Sequence, residues 1–356
     1  MRHVVKIAAA PILLALLPQP ATAGDGRIAL TDSCGRGHAC IFVTDQNGMH
    51  RRPVYRTDES GFSTLIPTWS PDRRSIALVD RGELYRIAAD RLTVRPDATL
   101  VAPREGIFWF AAEPVGYSGL SHPAWAPEGG LIAVKTVEPQ AVCVTDEWGA
   151  GGLEALYLPP DGTRLHGGGL AWNDDGTKLA FFLAIGSGVH DLIILDLVDG
   201  AMERIMPADA GAPPGWFHPS WARQGDPRIL FCAGDWIHAY DTRKGEIVPR
   251  LTEGCWPAWA PDNSRIALRR QLGKIASFDM ATGTVRPLGD GKFPSWSSAP
   301  RTAECNGDLD CRRGICCDGA CVEPCENDRD CDNAEAGTDD YCLYAGSCEA
   351  YCYYLR

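Results

Sequence analysis

The chain reads as an all-β protein: a six-bladed β-propeller closed by N- and C-terminal strands of one blade, followed by a small disulfide-rich C-terminal module. Three observations predict this. A Trp follows a Pro or Leu by two positions six times, at Pro67-Thr68-Trp69, Pro123-Ala124-Trp125, Leu170-Ala171-Trp172, Pro219-Ser220-Trp221, Pro257-Ala258-Trp259 and Pro294-Ser295-Trp296. After each of the first five copies come a turn and an apolar run, and a period of roughly 40 to 50 residues is that of propeller blades. Ten of the fifteen cysteines fall between Cys305 and Cys352, after a Ser/Ala/Pro linker.

The fifth copy shows what one repeat encodes. Trp259 sits on a short strand, and Pro261-Asp262-Asn263-Ser264 makes a tight turn, because Pro presets φ while Asp and Asn accept local backbone bonds. Arg265-Ile266-Ala267-Leu268 and Lys274 to Asp279 follow as strands, and a turn at Thr282-Gly283 leads into a fourth over Thr284 to Leu288. Four short strands joined by hairpins make a blade. Lys178 to Phe181 with Leu192 to Asp196, and Arg228 to Phe231 with Trp236 to Asp241, repeat the order. Several second strands are continuously apolar, as sheets covered on both faces require.

The two ends complement each other. Arg27-Ile28-Ala29-Leu30 and Ala39 to Val43 are blade strands with no Trp strand before them, while the Trp strand at Trp296 has no apolar strand after it. The Trp296 strand is therefore expected to complete the first blade and remove the open sheet edges.

The repeat resembles that of TolB-type propellers, a Pro-x-Trp-Ser-Pro-Asp-Gly turn followed by an Ile-Ala-Phe-like strand. Trp69-Ser70-Pro71-Asp72 is its nearest copy, and the resemblance covers about residues 27 to 298. It implies the fold and says little about function. Full TolB proteins carry an α/β domain before the propeller, whereas here the preceding segment reads as a signal peptide.

That segment has Arg2 and Lys6 ahead of the apolar stretch Ile7 to Leu17, then Ala21-Thr22-Ala23 as a small-residue cleavage site. The expected organisation is a signal peptide over 1–23, a propeller over 24–298, a linker over 299–304 and a cysteine-rich module over 305–356. No later stretch is long and apolar enough for a membrane helix. The expected address is the periplasm, the cell surface or the medium.

An oxidising compartment fits the cysteines. In the tail, Cys305-Asn306-Gly307-Asp308-Leu309-Asp310-Cys311 matches Cys325-Glu326-Asn327-Asp328-Arg329-Asp330-Cys331. Cys316, Cys317 and Cys321 complete the first unit; Cys342, Cys348 and Cys352 complete the second. So small a segment needs disulfide staples, whose connectivity the sequence leaves open. It resembles short Dickkopf-like cysteine-rich modules and the tandem Cys-Asp-Asp-Cys tails of secreted bacterial proteins. The tail has no Cys-x-x-Cys and no His, which argues against zinc. Within the propeller, Cys34 with Cys40 and Cys232 with Cys255 are the expected pairs, leaving Cys143 as a buried free thiol.

The net charge of −12 argues against nucleic acid and anionic membranes. Asp308, Asp310, Asp328, Asp330, Asp332, Asp339 and Asp340 concentrate charge in the tail. Carboxylates are ligands for Ca²⁺, but the twelve-residue calcium loop is missing, so turn capping between disulfides is the primary reading.

The position three before each Trp should line one mouth of the central channel. Its occupants are Ile66, His122, Gly169, His218, Trp256 and Phe293, and His166 lies slightly upstream in the third copy. His122 and His218 are the candidate ligands of a divalent metal, and propeller polysaccharide lyases that look similar use a His-lined central metal. No Glu or Asp at the equivalent positions completes a ligand set. The longest gap between copies holds Gly106-Ile107-Phe108-Trp109-Phe110, expected as an outer strand, and a Gly-rich segment around Tyr117, expected at the rim beside His122. Tyr117, His122, His218, Trp256 and Phe293 form the candidate ligand-binding rim, since aromatic side chains suit glycan stacking or peptide anchoring.

No Gly-x-Ser-x-Gly, His-Glu-x-x-His, phosphate loop or dinucleotide fingerprint is present. The sequence therefore points to a non-catalytic exported protein that binds an envelope or extracellular protein or glycan and needs no cofactor. A metal-dependent polysaccharide lyase or hydrolase at the His-lined mouth, and a structural or adhesive surface protein, are the alternatives.

Overall fold

The computed structural model describes residues 26–58, 65–165, 167–185, 190–205 and 218–298, and four strands of the tail. Six sheets follow one another along the chain. The inner strands touch in ring order, from Thr68–Trp69 through Glu113–Trp125, Ala171–Trp172, Ser220–Trp221 and Cys255–Trp259 to Lys292–Trp296, and back to Thr68–Trp69. Apolar side chains fill each of the six joints between neighbouring sheets.

The expected six-bladed propeller is corrected to five blades, the five open sheets. The exception is the third sheet. Its strand Glu113–Trp125 is 13 residues long and reaches outward past the inner wall to form a hairpin with Glu105–Phe110. Glu105–Phe110 then pairs in parallel with Leu153–Tyr157, Leu153 opposite Phe108 and Glu154 opposite Trp109, and the sheet closes on itself. The Gly106 to Phe110 run is thus a strand with partners on both edges. Phe108 points into the closed sheet and is fully buried.

The ends meet as the sequence requires. Ile28 pairs with Trp296 and Ala29 with Ser295, so the first sheet takes its inner strand from the C-terminal side of the propeller. Ser297 fastens the junction: its N–H donates to the Arg27 carbonyl at 2.8 Å, and its hydroxyl accepts the Arg27 N–H at 3.0 Å. The Ser298 hydroxyl reaches the Pro71 carbonyl at 2.7 Å, tying the closure to the second sheet.

Indole donors connect the inner strands. Trp69 Nε1 donates to the Ser295 carbonyl at 3.1 Å, Trp172 Nε1 to Ala124 at 2.9 Å and Trp259 Nε1 to Ser220 at 3.1 Å. Each acceptor is the residue just before the Trp of the preceding sheet. Where that residue is Thr68 or Ser220, its hydroxyl also accepts the next tryptophan's backbone N–H. The Pro two positions before Trp has no N–H that would need a partner on this wall.

Disulfides join Cys34 to Cys40 and Cys232 to Cys255, with Cα separations of 5.7 and 5.0 Å. Cys143 is a buried free thiol, and burial pushes its pKa up to about 12. In the tail, Ile315–Cys317 pairs with Ala320–Val322 and Asp339–Leu343 with Tyr351–Leu355. The expected signal peptide and disulfide knot, along with His166, otherwise fall outside the described residues.

Trp296→Ala removes a buried ring at the closure and is expected to cost roughly 3–5 kcal/mol in urea unfolding. A loss under about 1 kcal/mol would mean that the ring is not held shut by this strand.

Candidate functional site

The inner strands surround a narrow channel with a cavity of about 130 Å³. Its wall includes Trp125, Trp172, Trp221, Trp259 and Trp296, and its two ends differ in kind. Pocketing a whole small molecule takes roughly 300–1,000 Å³, so this channel has room only for the tip of a ligand.

At one end stand the residues three before each Trp. In three of them the backbone is left-handed, with φ of 53° at His122, 57° at Trp256 and 52° at Phe293. The strand pairing shifts register beside each of these positions. Such bulges turn a side chain out of the strand's alternation, and holding a bulky residue there costs on the order of 1–3 kcal/mol. The Trp256 ring lies against His218 at 4.8 Å between centroids and edge-on to Phe293 at 4.4 Å. Only 3 % of Trp256 is exposed, so it is packed among these side chains.

His218 is fixed from the neighbouring sheet. The Gly169 N–H donates to its Nδ1 at 3.0 Å, and a Cβ on Gly169 would lie 2.1 Å from the imidazole. Only glycine leaves the ring its place. An imidazole that accepts at Nδ1 is neutral and carries its proton on Nε2, which leaves no lone pair free for a cation. Burial, with the Lys135 charge nearby, lowers its pKa to about 3. Lys135 is itself buried, donates to the Gly168 carbonyl and is pulled down to about 7 by desolvation.

The structure thus brings together His218, Trp256 and Phe293. His122 stands in the same ring, separated from His218 by Gly169. Tyr117 is elsewhere: it points into the closed third sheet, is 6 % exposed, and its hydroxyl donates to the Pro103 carbonyl at 2.9 Å. The Gly-rich context that suggested a rim loop belongs to a long strand. Among the described residues no three His, Cys, Asp or Glu side chains are grouped to hold a metal.

The other end carries two residues that sequence reasoning did not single out. The second position after Trp is Pro71, Pro127 and Pro261 in three copies, but Asp174 and Arg223 in two neighbouring ones. That departure was the available signal. Both line the channel, and Asp174 is exposed at its lip. Asn263 holds the Arg223 backbone on both sides, accepting its N–H at 2.9 Å and donating to its carbonyl. Among the described residues the guanidinium makes no hydrogen bond and no ion pair, Asp174 included. Burial pulls its pKa down, and the Asp174 charge partly offsets this.

The chain matches no family model and no curated protein. Solved structures do match. TolB from Acinetobacter baumannii aligns with a TM-score of 0.56 at 15 % identity over 77 % of this chain and 67 % of that one. A putative TolB from Agrobacterium tumefaciens gives 0.53 at 19 % over 75 % and 92 %. A chain of a nidogen–laminin complex gives 0.53 at 8 % over 77 % and 98 %. At these identities the likeness establishes a TolB-type propeller fold.

His218→Gln should flatten the acid limb of stability. Folded His218 binds its proton near pH 3 and the unfolded chain near pH 6.5, so wild type loses stability across that window as pH falls. Urea unfolding across the window measures the difference; equal losses in both proteins would mean a solvated, readily protonated ring.

Proposed function

We propose that the protein is an exported, non-catalytic binding or scaffold protein whose channel receives the tip of a partner at the Asp174–Arg223 end. The observation that carries this reading is the Arg223 guanidinium, which lines a tryptophan-walled cavity and has no partner among the described residues. A half-buried guanidinium without a counter-group keeps hydrogen-bonding capacity for a ligand, and a carboxylate can satisfy it bidentately. Asp174 at the lip adds an acceptor for a donor on the same ligand. The ligand is an acidic group on a protein segment or a glycan.

The opposite end serves as the floor of the site. His218, Trp256 and Phe293 hold one another, and the neutral His218 supports binding over metal-assisted cleavage. The cross-links Cys34–Cys40 and Cys232–Cys255 fit a periplasmic or extracellular address. No helix among the described residues is long and apolar enough to cross a membrane.

The test compares immobilised wild type, Arg223→Gln and Asp174→Asn against envelope extract and a glycan array. Arg223→Gln should lose roughly tenfold or more in retention of a specific partner, the scale of one charge-assisted hydrogen bond, with its unfolding midpoint unchanged. Equal retention by wild type and Arg223→Gln would overturn the reading.

A further inference from the structure

A second surface lies on the outside of the closed third sheet. Along Glu105–Phe110 the buried Phe108 alternates with Ile107 and Trp109, which are 52 % and 45 % exposed. Trp109 is flanked by Pro114 on one paired strand and Glu154 on the other, and Ile107 by Gly116. Side chains paired across a sheet share a face, so Pro114 and Glu154 border the indole. A Cβ on Gly116 would meet only the Gly106 carbonyl, at 4.0 Å, so nothing rises beside Ile107.

The charge around this face has one sign. The strands Glu105–Phe110, Glu113–Trp125 and Leu153–Tyr157 contain no Lys or Arg, and their three carboxylates, Glu105, Glu113 and Glu154, are all exposed. Arg104, just before the first of them, packs its side chain toward Gly82. Both edges of Glu105–Phe110 are already paired, so no added β-strand can dock there; the face is read by side chains alone.

We propose that this face binds a basic segment of a protein partner, with an Arg or Lys side chain stacked on Trp109 and its charge met by Glu154. An indole is the best aromatic partner for a cation, and Glu105 and Glu154, which share the face of Trp109, select the same sign. Charge also removes the competing occupants. The chain's own tail, 305–356, carries twelve acidic against four basic residues, and a second copy brings a net charge of −12. Both are repelled.

The test uses the full chain and labelled repeat peptides of alternating Gly and Arg, Gly and Lys, or Gly and Glu, with a neutral oligosaccharide as the alternative ligand. At about 0.15 M salt, where charges farther apart than about 8 Å are screened, the Arg peptide should bind wild type. Trp109→Ala should weaken it roughly three- to thirtyfold, the span of a cation–π contact. Glu154→Arg, on an exposed site, should weaken it at least as much, with unfolding midpoints unchanged in both. Undiminished binding by Trp109→Ala, or equal binding of the Glu peptide, would assign the attraction to overall charge and overturn the proposal. Binding of the oligosaccharide but not the peptide would overturn it in favour of a glycan surface.

Discussion

The fold depends on how each tryptophan is seated against the inner strand of the sheet before it. The indole N–H to carbonyl bond contributes about 1 kcal/mol net. Burying a ring of 150–250 Å² is worth roughly 4–6 kcal/mol, so burial supplies the stability and the hydrogen bond supplies the direction. One such bond, from Trp69 to Ser295, spans 226 residues and crosses the closure. The ring is shut by the same kind of contact that Trp172 and Trp259 make at two of its other joints. The first sheet can be completed only after the last has arrived, because its inner strand, Lys292–Trp296, comes from the far end of the propeller.

The features legible in the sequence were those that depend on residue chemistry at a fixed spacing. The Trp repeat, the complementary ends, the pairs Cys34–Cys40 and Cys232–Cys255 and the leftover Cys143 all follow from identities and intervals. The closed third sheet was not legible. Its decisive contact, Phe108 opposite Leu153, joins segments far apart in the chain and leaves no local pattern. The long interval between Trp69 and Trp125 announced extra chain without saying how it would pair. Tyr117 was misplaced for the same reason. Its glycines looked like a loop, yet the strand alternation buries the ring and gives its hydroxyl a backbone acceptor.

The channel ends show how a repeat acquires a site. At the floor, bulges set His122, Trp256 and Phe293 in the left-handed region, a strain that a packed aromatic cluster can offset. At the lip, replacement of Pro by Asp174 keeps the turn of the other copies, whereas at Arg223 the turn is one residue longer and its inner bond runs from the Asp226 N–H to the Arg223 carbonyl. Asn263 grips the Arg223 backbone from the next sheet, so the charge is held by the scaffold while its head group stays free. A packed floor beneath a charged lip suits the proposed recognition of a tip.

The two surfaces differ in charge and in place. On the proposed readings, a guanidinium in a narrow channel would select an anionic group, whereas Trp109 beside Glu154 on the outer face of the third sheet would select a cationic one. Ligands of opposite charge do not compete for these sites. The outer face belongs to a closed sheet whose edges are paired, and the channel wall is fastened by the indole bonds, so neither must deform for the other to be filled. Two rigid, independent sites of opposite preference are what a protein needs to hold two partners at once. If both proposed sites are filled, a scaffold role accounts for this arrangement more directly than a role built on a single ligand.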